Sequence, residues 1–255
     1  MTDNKLSICI TIKNRSKEYN LFPNCIESIK KSLTLNDNVE LIIADWNSTD
    51  WPIREWLSID VPVHLITINK KDNLFSVGKG RNLAAEHATG DILLFLDADM
   101  VLTLDSFRDA YNVAYQYGIC YPPVMYQKTQ GQEHWELHEG GGNLFISKEL
   151  FIKAGKWPEY WAHGFEDTDF ANNLKKITKL HTSCEPFFHQ WHPNQMGWNK
   201  QIKQADNNII MQRKEFYQKQ ADNDLNKIKN GIKYIIENDP NTTHSQLKIS
   251  KGEYR

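Results

Sequence analysis

Four short apolar runs, each closing on polar residues, mark the first hundred positions of the chain. They are LSICITI (Leu6–Ile12), VELIIAD (Val39–Asp45), VHLITI (63–68) and DILLFLD (91–97), all short enough and apolar enough to be strands. Between the first two, residues 20–35 carry Leu21, Cys25, Ile29 and Leu33 at helical spacing. Before the fourth, residues 80–88 read as a helix start followed by RNLAAEHA. Strands alternating with helices of this length predict an α/β fold with a mostly parallel sheet and crossover helices.

The second half is less regular and richer in aromatics. GGGNLFISKELFIKAG predicts a strand over 143–146 and a helix capped by Ser147, with Lys148 and Glu149 in its first turn. FEDTDFANNLKKI predicts another helix, opened by acids that suit its positive end. Residues 199–220 and 225–238 read as amphipathic helices, with Ile202, Ala205 and Ile209, then Leu225, Ile228, Ile232 and Ile235, on their apolar faces. These readings divide the chain into a domain over 1–198 and a C-terminal part over 199–255, helices packing on that domain and a frayed tail.

With 255 residues, 40% of them apolar, the chain can bury a sizeable core. The formal charge of -2 gives no global pull towards nucleic acid or an anionic membrane. MTDNKLSICITIKNR lacks the pattern of a secretory signal, and no apolar run approaches the roughly 20 residues that span a bilayer. The expectation is a cytoplasmic protein. Cys9, Cys25, Cys120 and Cys184 are scattered and form no close pair, so they read as buried thiols in a reducing compartment.

In a parallel sheet of this kind ligands sit at the carboxyl ends of the strands. Lys13, Asn14 and Arg15 follow the first strand, Asp45, Asn47, Ser48 and Asp50 the second, and Asp97 and Asp99 the last, which predicts one shared site. At the end of FLDADM the chain turns, so Asp97 can face inward while Asp99 projects into the crevice. Two carboxylates there repel unless a cation or a proton joins them, and a divalent metal is the natural partner. The competing reading is one capping Asp and one solvated one.

Three further clusters carry chemistry. Glu166, Asp167 and Asp169 in HGFEDTDF open a helix beside Trp157, Tyr160, Trp161 and Phe165, where a carboxylate could take a proton from a hydroxyl and aromatic faces could stack on a sugar. Plain helix capping is the alternative. His189 and His192 in FFHQWHP could each offer an imidazole to a metal, although a lone His is more often structural. In SVGKGR the glycines Gly78 and Gly80, with Lys79 and Arg81, could form a flexible loop that delivers N–H groups and cations to a diphosphate. Arg81 could equally be paired with a structural acid.

Taken in order, CITIKNR, IIADWNSTD, GKGRNLAAEHATGDILLFLDADM, GGGNLFISKELFIKAGKWPEYWAHGFEDTDF and FFHQWH resemble the GT-A glycosyltransferases of the family 2-like inverting type. The distal part is similar to galactosyltransferases and chondroitin polymerases. The resemblance covers about residues 6–192 and implies a Rossmann-like sheet flanked by helices, with a nucleotide-binding half to about residue 100 and an acceptor half to 198. It implies that Thr11, Asn14, Arg15 and Asp45 hold uridine, with Lys79 and Arg81 near the donor and Asp97 and Ala98 against the nucleotide. Asp97 and Asp99 match the family's DxD, which shares Mn2+ or Mg2+ with the diphosphate, and His189 or His192 matches its late metal ligand, His189 slightly favoured by the following Gln. Asp167 matches the general base and Glu166 a contact to substrate hydroxyls; Trp135, Trp161 and Phe165 are acceptor candidates. One departure stands out: Phe165 occupies the position of the glycine that precedes the two acids in the family.

The resemblance thus implies a metal-dependent inverting transfer from a UDP-sugar to a carbohydrate hydroxyl, lipid-linked acceptors included, in bacterial capsule or lipopolysaccharide synthesis. No nucleic acid is expected as a partner, peripheral contact with the inner face of a membrane is compatible with it, and oligomeric state is left open. Two rivals are an aspartate-dependent phosphotransferase or phosphatase, which would want Gly-Thr where Met100-Val101 stands, and a non-catalytic carbohydrate-binding module, which would have no need of four acids.

Overall fold

The computed structural model describes residues 4–33, 38–69, 75–127, 135–138, 141–160 and 165–193. The helices expected over 199–220 and 225–238, the tail and Trp161 lie outside the described residues, as does the whole of 199–255.

Strands β1 (Leu6–Ile12), β2 (Val39–Asp45), β3 (Val63–Thr67) and β4 (Ile92–Asp97) run parallel. Two antiparallel strands, β6 (Ile119–Cys120) and β9 (Leu144–Ser147), complete a six-stranded sheet in the order β3-β2-β1-β4-β9-β6. A smaller sheet, in the order β5-β10-β7-β8, joins β5 (Met100–Val101), β10 (Phe187–His189), β7 (Val124–Gln127) and β8 (Trp135–His138).

The apolar runs of β1, β2 and β4 are continuous because both faces of the sheet are covered there, whereas the edge strand β3 stays largely exposed. Along β1, Ile8, Ile10 and Ile12 enter one core with Phe22, Cys25 and Ile29 of helix α1 (Leu21–Ser32) and Phe107 and Ala110 of helix α4 (Leu104–Tyr117). Cys9 points to the opposite core, where Phe95 meets Ala84 and Ala85 of helix α3 (Val77–His87), Phe151 of α5 (Lys148–Lys153) and Phe170 and Leu174 of α6 (Glu166–Lys175). Phe95 is fully buried; burial of a side chain of that size contributes about 2–3 kcal/mol. One turn, α2 (Ile53–Trp56), sits between β2 and β3.

The expected elements form with shifted ends: α1 stops at Ser32, α3 begins at Val77, and Ser147 caps α5 by accepting from Leu150 N. Helices α2 and α4, strand β6 and the small sheet are additions to the sequence reading. A Thr103–Ser106 capping box starts α4, and Gly118, at φ +78°, ends it. Of the cysteines, Cys9, Cys25 and Cys120 are buried thiols as expected, whereas Cys184 is exposed.

Candidate functional site

From β1 the chain goes on to β2 and β3 on one side, and β4 lies on the other, so the sheet has its switch point between β1 and β4. Ligands of open α/β sheets bind at the carboxyl ends of the strands at such a point. Thr11 pairs with Asp97 and Ile12 with Asp45, which brings acids from β2 and β4 to either side of the end of β1.

The loops after β1 and β2 are tied together by their own polar groups. Asp45 accepts from Ser48 N (2.9 Å), Ser48 Oγ accepts from Asn14 N (3.0 Å), and Asn14 Oδ1 accepts from Thr49 N (2.8 Å). Asp50 Oδ2 accepts from the N–H groups of Ser16 and Lys17. Asn14 and Asn47 hold positive φ, which Asn tolerates better than most residues. Thr11 is buried beneath α3, its hydroxyl accepting from Trp46 Nε1 (3.2 Å).

SVGKGR is not a flexible loop. It is the first turn of α3, with Ser76 accepting from Lys79 N as N-cap. Its glycines serve packing: a Cβ on Gly78 would lie 1.9 Å from Pro158 O, and one on Gly80 would lie 1.9 Å from Thr11 Oγ1. Lys79 is half-buried in that turn.

Arg81 is buried, and its guanidinium joins two elements. Nη2 donates to Asp97 Oδ1 at 2.7 Å and Nη1 faces Glu166 Oε1 at 3.4 Å, while the Trp157 ring lies 4.5 Å from the guanidinium carbon. Burial works against the charge, but Asp97 and Glu166 more than offset it and raise the Arg81 pKa. Gly142 makes room for the group, since a Cβ there would lie 1.9 Å from Nη2. Of the two arrangements open from sequence, the structure has Arg81 paired with acids.

Asp97 and Asp99 therefore have different surroundings. Asp97 has Arg81 on one oxygen and Asn143 Nδ2 on the other (3.0 Å), and its own N–H donates to Asn143 Oδ1 (2.8 Å). Ala98 is buried between the two acids. Asp99 faces His189 Nε2 at 3.7 Å and His192 Nε2 at 3.3 Å. Burial opposes its ionisation, yet the His192 hydrogen bond and the charges of His189 and Arg15 hold its pKa down at about 2. One ligand atom from each of Asp99, His189 and His192 falls within 4.8 Å of the others, a carboxylate and two imidazoles that fit a divalent cation. The fit includes both histidines, where the resemblance implied one.

The second acidic cluster divides as well. Glu166 is buried behind Arg81, and Asp169 is fully buried and accepts from Tyr160 OH at 2.8 Å. Trp157 and Tyr160, expected to line an aromatic pocket, are buried at 2% and 4% exposure: Trp157 packs between Arg81 of α3 and Phe170 of α6, and Tyr160 donates to Asp169 of α6. Asp167 stays partly exposed; its Oδ1 accepts from Thr168 N (2.7 Å), and a Cβ on Gly141 would lie 3.4 Å from its Oδ2. Burial pushes the Tyr126 phenol up to about 12, and the charges of Asp97, Asp99 and Asp167 act in the same direction. Phe165 is exposed and sits at φ +70°, the conformation that favours the glycine it replaces. Trp135 lies on the edge strand β8.

Several residues of the site carried no prediction. Asn143 and Gly142 were visible only as part of GGGN, whose run of small residues signals a close approach by another group. Gln190 donates from its backbone to Asp99 O (3.0 Å) and from Nε2 to Leu21 O (2.9 Å), and accepts from Asn24 (2.8 Å), so it pins the histidine segment to β5 and α1.

A Rossmann-like sheet with a polar crevice at its switch point, an acid pair split between an arginine and two histidines, and a distal helix opened by acids define a fold of the GT-A class. Residues 7–190 match the family described as Glycosyl transferase family 2, and the chain belongs to that family. No curated protein matches the chain. Among solved structures it is similar to S. aureus TarS 1-349 in complex with UDP-GlcNAc, at 15% identity and a TM-score of 0.62 over 75% of this chain and 60% of that one. It is also similar to S. aureus TarS 1-349 in complex with UDP (15% identity, TM-score 0.57, 74% and 61% covered) and to S. aureus TarS (16%, 0.56, 74% and 37%). At these identities the likeness is one of fold, and the chain spans about 60% of the length of the TarS 1-349 structures. No described helix is long and apolar enough to cross a membrane.

Proposed function

We propose that this chain is a metal-dependent, inverting glycosyltransferase that moves a sugar from a UDP-sugar to a hydroxyl of a carbohydrate acceptor. The observation that carries the reading is the convergence of Asp99, His189 and His192 beside the switch-point crevice, with Asp167 standing apart from them on α6. Family membership and the UDP and UDP-GlcNAc complexes of TarS support the choice of donor. By the same family analogy the product belongs to a bacterial surface polysaccharide, made on the cytoplasmic side of the membrane.

The end of β1 and the β2 loop, with Thr11, Asn14, Arg15 and Asp45, form the uridine side of the crevice. A divalent cation held by Asp99, His189 and His192 would supply positive charge to the diphosphate leaving group. Asp97, fixed by Arg81 and Asn143, presents its remaining exposed edge to the donor sugar. Asp167 takes the proton of the acceptor hydroxyl as that oxygen forms its bond to the anomeric carbon, on the face opposite the breaking bond to the diphosphate. Phe165, exposed near Asp167, is the aromatic surface for the acceptor, with Trp135 and Trp161 kept as candidates from the resemblance alone.

A phosphotransferase would use the first acid of DAD as a nucleophile. Asp97 is poorly suited to that, because both of its oxygens already accept strong hydrogen bonds. The test is thermal unfolding with UDP in manganese and in chelator, followed by transfer from a panel of UDP-sugars. UDP should raise the melting temperature only with the metal, and Asp167→Asn should abolish transfer with UDP binding nearly intact. Equal stabilisation in chelator defeats the metal site, and normal transfer by Asp167→Asn removes it from the base role.

A further inference from the structure

Gln190, the first residue past β10, is where separate parts of the crevice wall meet. Its backbone N–H donates to Asp99 O at 3.0 Å. Its side-chain Nε2 donates to the same carbonyl at 3.2 Å and to Leu21 O, at the start of α1, at 2.9 Å. Its Oε1 accepts from Asn24 Nδ2, also on α1, at 2.8 Å. Nε2 faces two carbonyls, which cannot donate, so the network fixes which way the amide points.

Helix α1 in turn continues the loop after β1. Phe22 N donates back to Arg15 O at 2.9 Å. Between these residues Tyr19 and Asn20 hold φ of +58° and +51°, a left-handed pair that residues other than glycine keep only where the surroundings over-determine it. The Tyr19 ring meets Trp191 edge-on, with centroids 5.5 Å apart, and Trp191 N donates to Gln127 Oε1 of β7 at 3.3 Å. Residues 190 and 191 thus tie the segment that carries Asn14 and Arg15 to the turn that carries Asp99.

Such a tie matters for a ligand with two ends. A nucleoside and its diphosphate are covalently joined, so the gain from engaging both is realised only where the two half-sites stand at the ligand's own spacing. We propose that Gln190 is a positioning residue: it sets the spacing between the loop after β1 and the Asp99 turn so that one nucleoside diphosphate reaches both. The proposal rests on the reading of Asn14 and Arg15 as the uridine side and of Asp99 as the diphosphate side, and adds to it a residue that acts through others.

The test compares two ligands on the full chain, uridine, which needs the first half-site alone, and UDP with Mn2+, which needs both. Gln190→Met keeps the length of the side chain and removes its hydrogen bonds. It should weaken UDP binding by about tenfold or more and leave uridine binding, followed by saturation-transfer NMR, within about twofold. Gln190→Glu should not rescue, because a carboxylate has no donor for the Leu21 and Asp99 carbonyls. In turnover the loss should fall on the KM of the donor, with the KM of the acceptor unchanged. Asn24→Ala, at an exposed position of α1, removes only the bond to Oε1 and should shift UDP binding the same way by about two- to threefold. It decides the matter should near-UV circular dichroism show that Gln190→Met does not fold. Equal losses for uridine and UDP, or none for either, overturn the proposal and leave the glycosyltransferase reading standing. A wild type that binds no UDP with any divalent ion removes that reading, and the proposal with it.

Discussion

Replacing Arg81 by Met tests how the two halves of the site are held together. Arg81 and Glu166 side chains are 4% and 6% exposed, whereas the Asp97 side chain is 35% exposed. Without the guanidinium Asp97 can recover water, whereas Glu166, buried, loses the cation that faces it at 3.4 Å. Breaking a buried pair in this way costs about 3–5 kcal/mol. Most of that should come from Glu166, so adding Glu166→Gln to Arg81→Met should recover about 1–3 kcal/mol, while adding Asp97→Asn should recover less. Arg81→Lys should rescue poorly, because one ammonium cannot serve two acids and lie over Trp157 in the planar fork. Gly142→Ala probes the same contact from the other side: its methyl claims the place of Nη2, so it should destabilise the wild type strongly and the Arg81→Met variant little. Equilibrium urea denaturation of the set, read as shifts in midpoint at constant slope, gives the values. If Arg81→Met costs less than about 1 kcal/mol, or Glu166→Gln recovers nothing in its background, the buried-pair account is wrong.

Two other predictions concern stability away from the ions. Glu40, buried among Lys5, Ser7 and Thr89, has its pKa held down at about 2 from 4.5: burial opposes ionisation, and the hydrogen bonds from those three residues overcome it. A depressed carboxylate contributes stability that is present above its unfolded pKa and lost as pH falls through its folded one, here up to about 3 kcal/mol between pH 5 and 2. Urea titrations across that window should show this share of acid sensitivity in the wild type and its absence in Glu40→Gln; parallel profiles would sink the assignment. At Phe165, φ +70° costs an ordinary residue about 1–2 kcal/mol. Phe165→Gly should therefore be at least as stable as the wild type, and Phe165→Val, which tolerates that conformation least, less stable by about 1–2 kcal/mol. Equal stabilities for Gly and Val variants would show that the backbone there relaxes freely.

Strands β1, β2 and β4 were legible because burial on both faces makes them read as apolar blocks, and no tertiary information is needed to see that; β6, only two residues long, was not. Helix α4 was legible in principle: Phe107, Ala110, Tyr111 and Ala114 are its buried stripe. Exposed Leu104, Tyr115 and Tyr117 blur that stripe, since apolar and aromatic residues on the solvent face erase the contrast on which periodicity depends. The glycines of SVGKGR suggested a flexible loop where the chain forms a helix turn, for a different reason. A glycine records that something comes close, not what it is, and here the neighbours are Pro158, Thr11 and Trp46 of the protein itself.

The acids of FLDADM show where sequence reading reaches its limit. That two carboxylates closing an apolar strand need partners follows from electrostatics alone, and so does their separation by the turn after β4. Which partner each receives depends on distant chain segments: Arg81 from the start of α3 and Asn143 from the approach to β9 for Asp97, and β10 with the residues beyond it for Asp99. None of these groups is periodic, and each is ambiguous alone, since an Arg suits a phosphate as well as an acid and a His suits a core as well as a metal. The division has a mechanistic consequence. An acid neutralised by a buried arginine keeps its position whether or not a cation is bound, so Asp97 and, through Arg81, Glu166 hold β4 to α6 without any ion. On the proposed metal-dependent reading, chelator should therefore weaken nucleotide binding while leaving the fold around Asp167 intact, and it should alter the Tyr126 environment far more than that of Trp157.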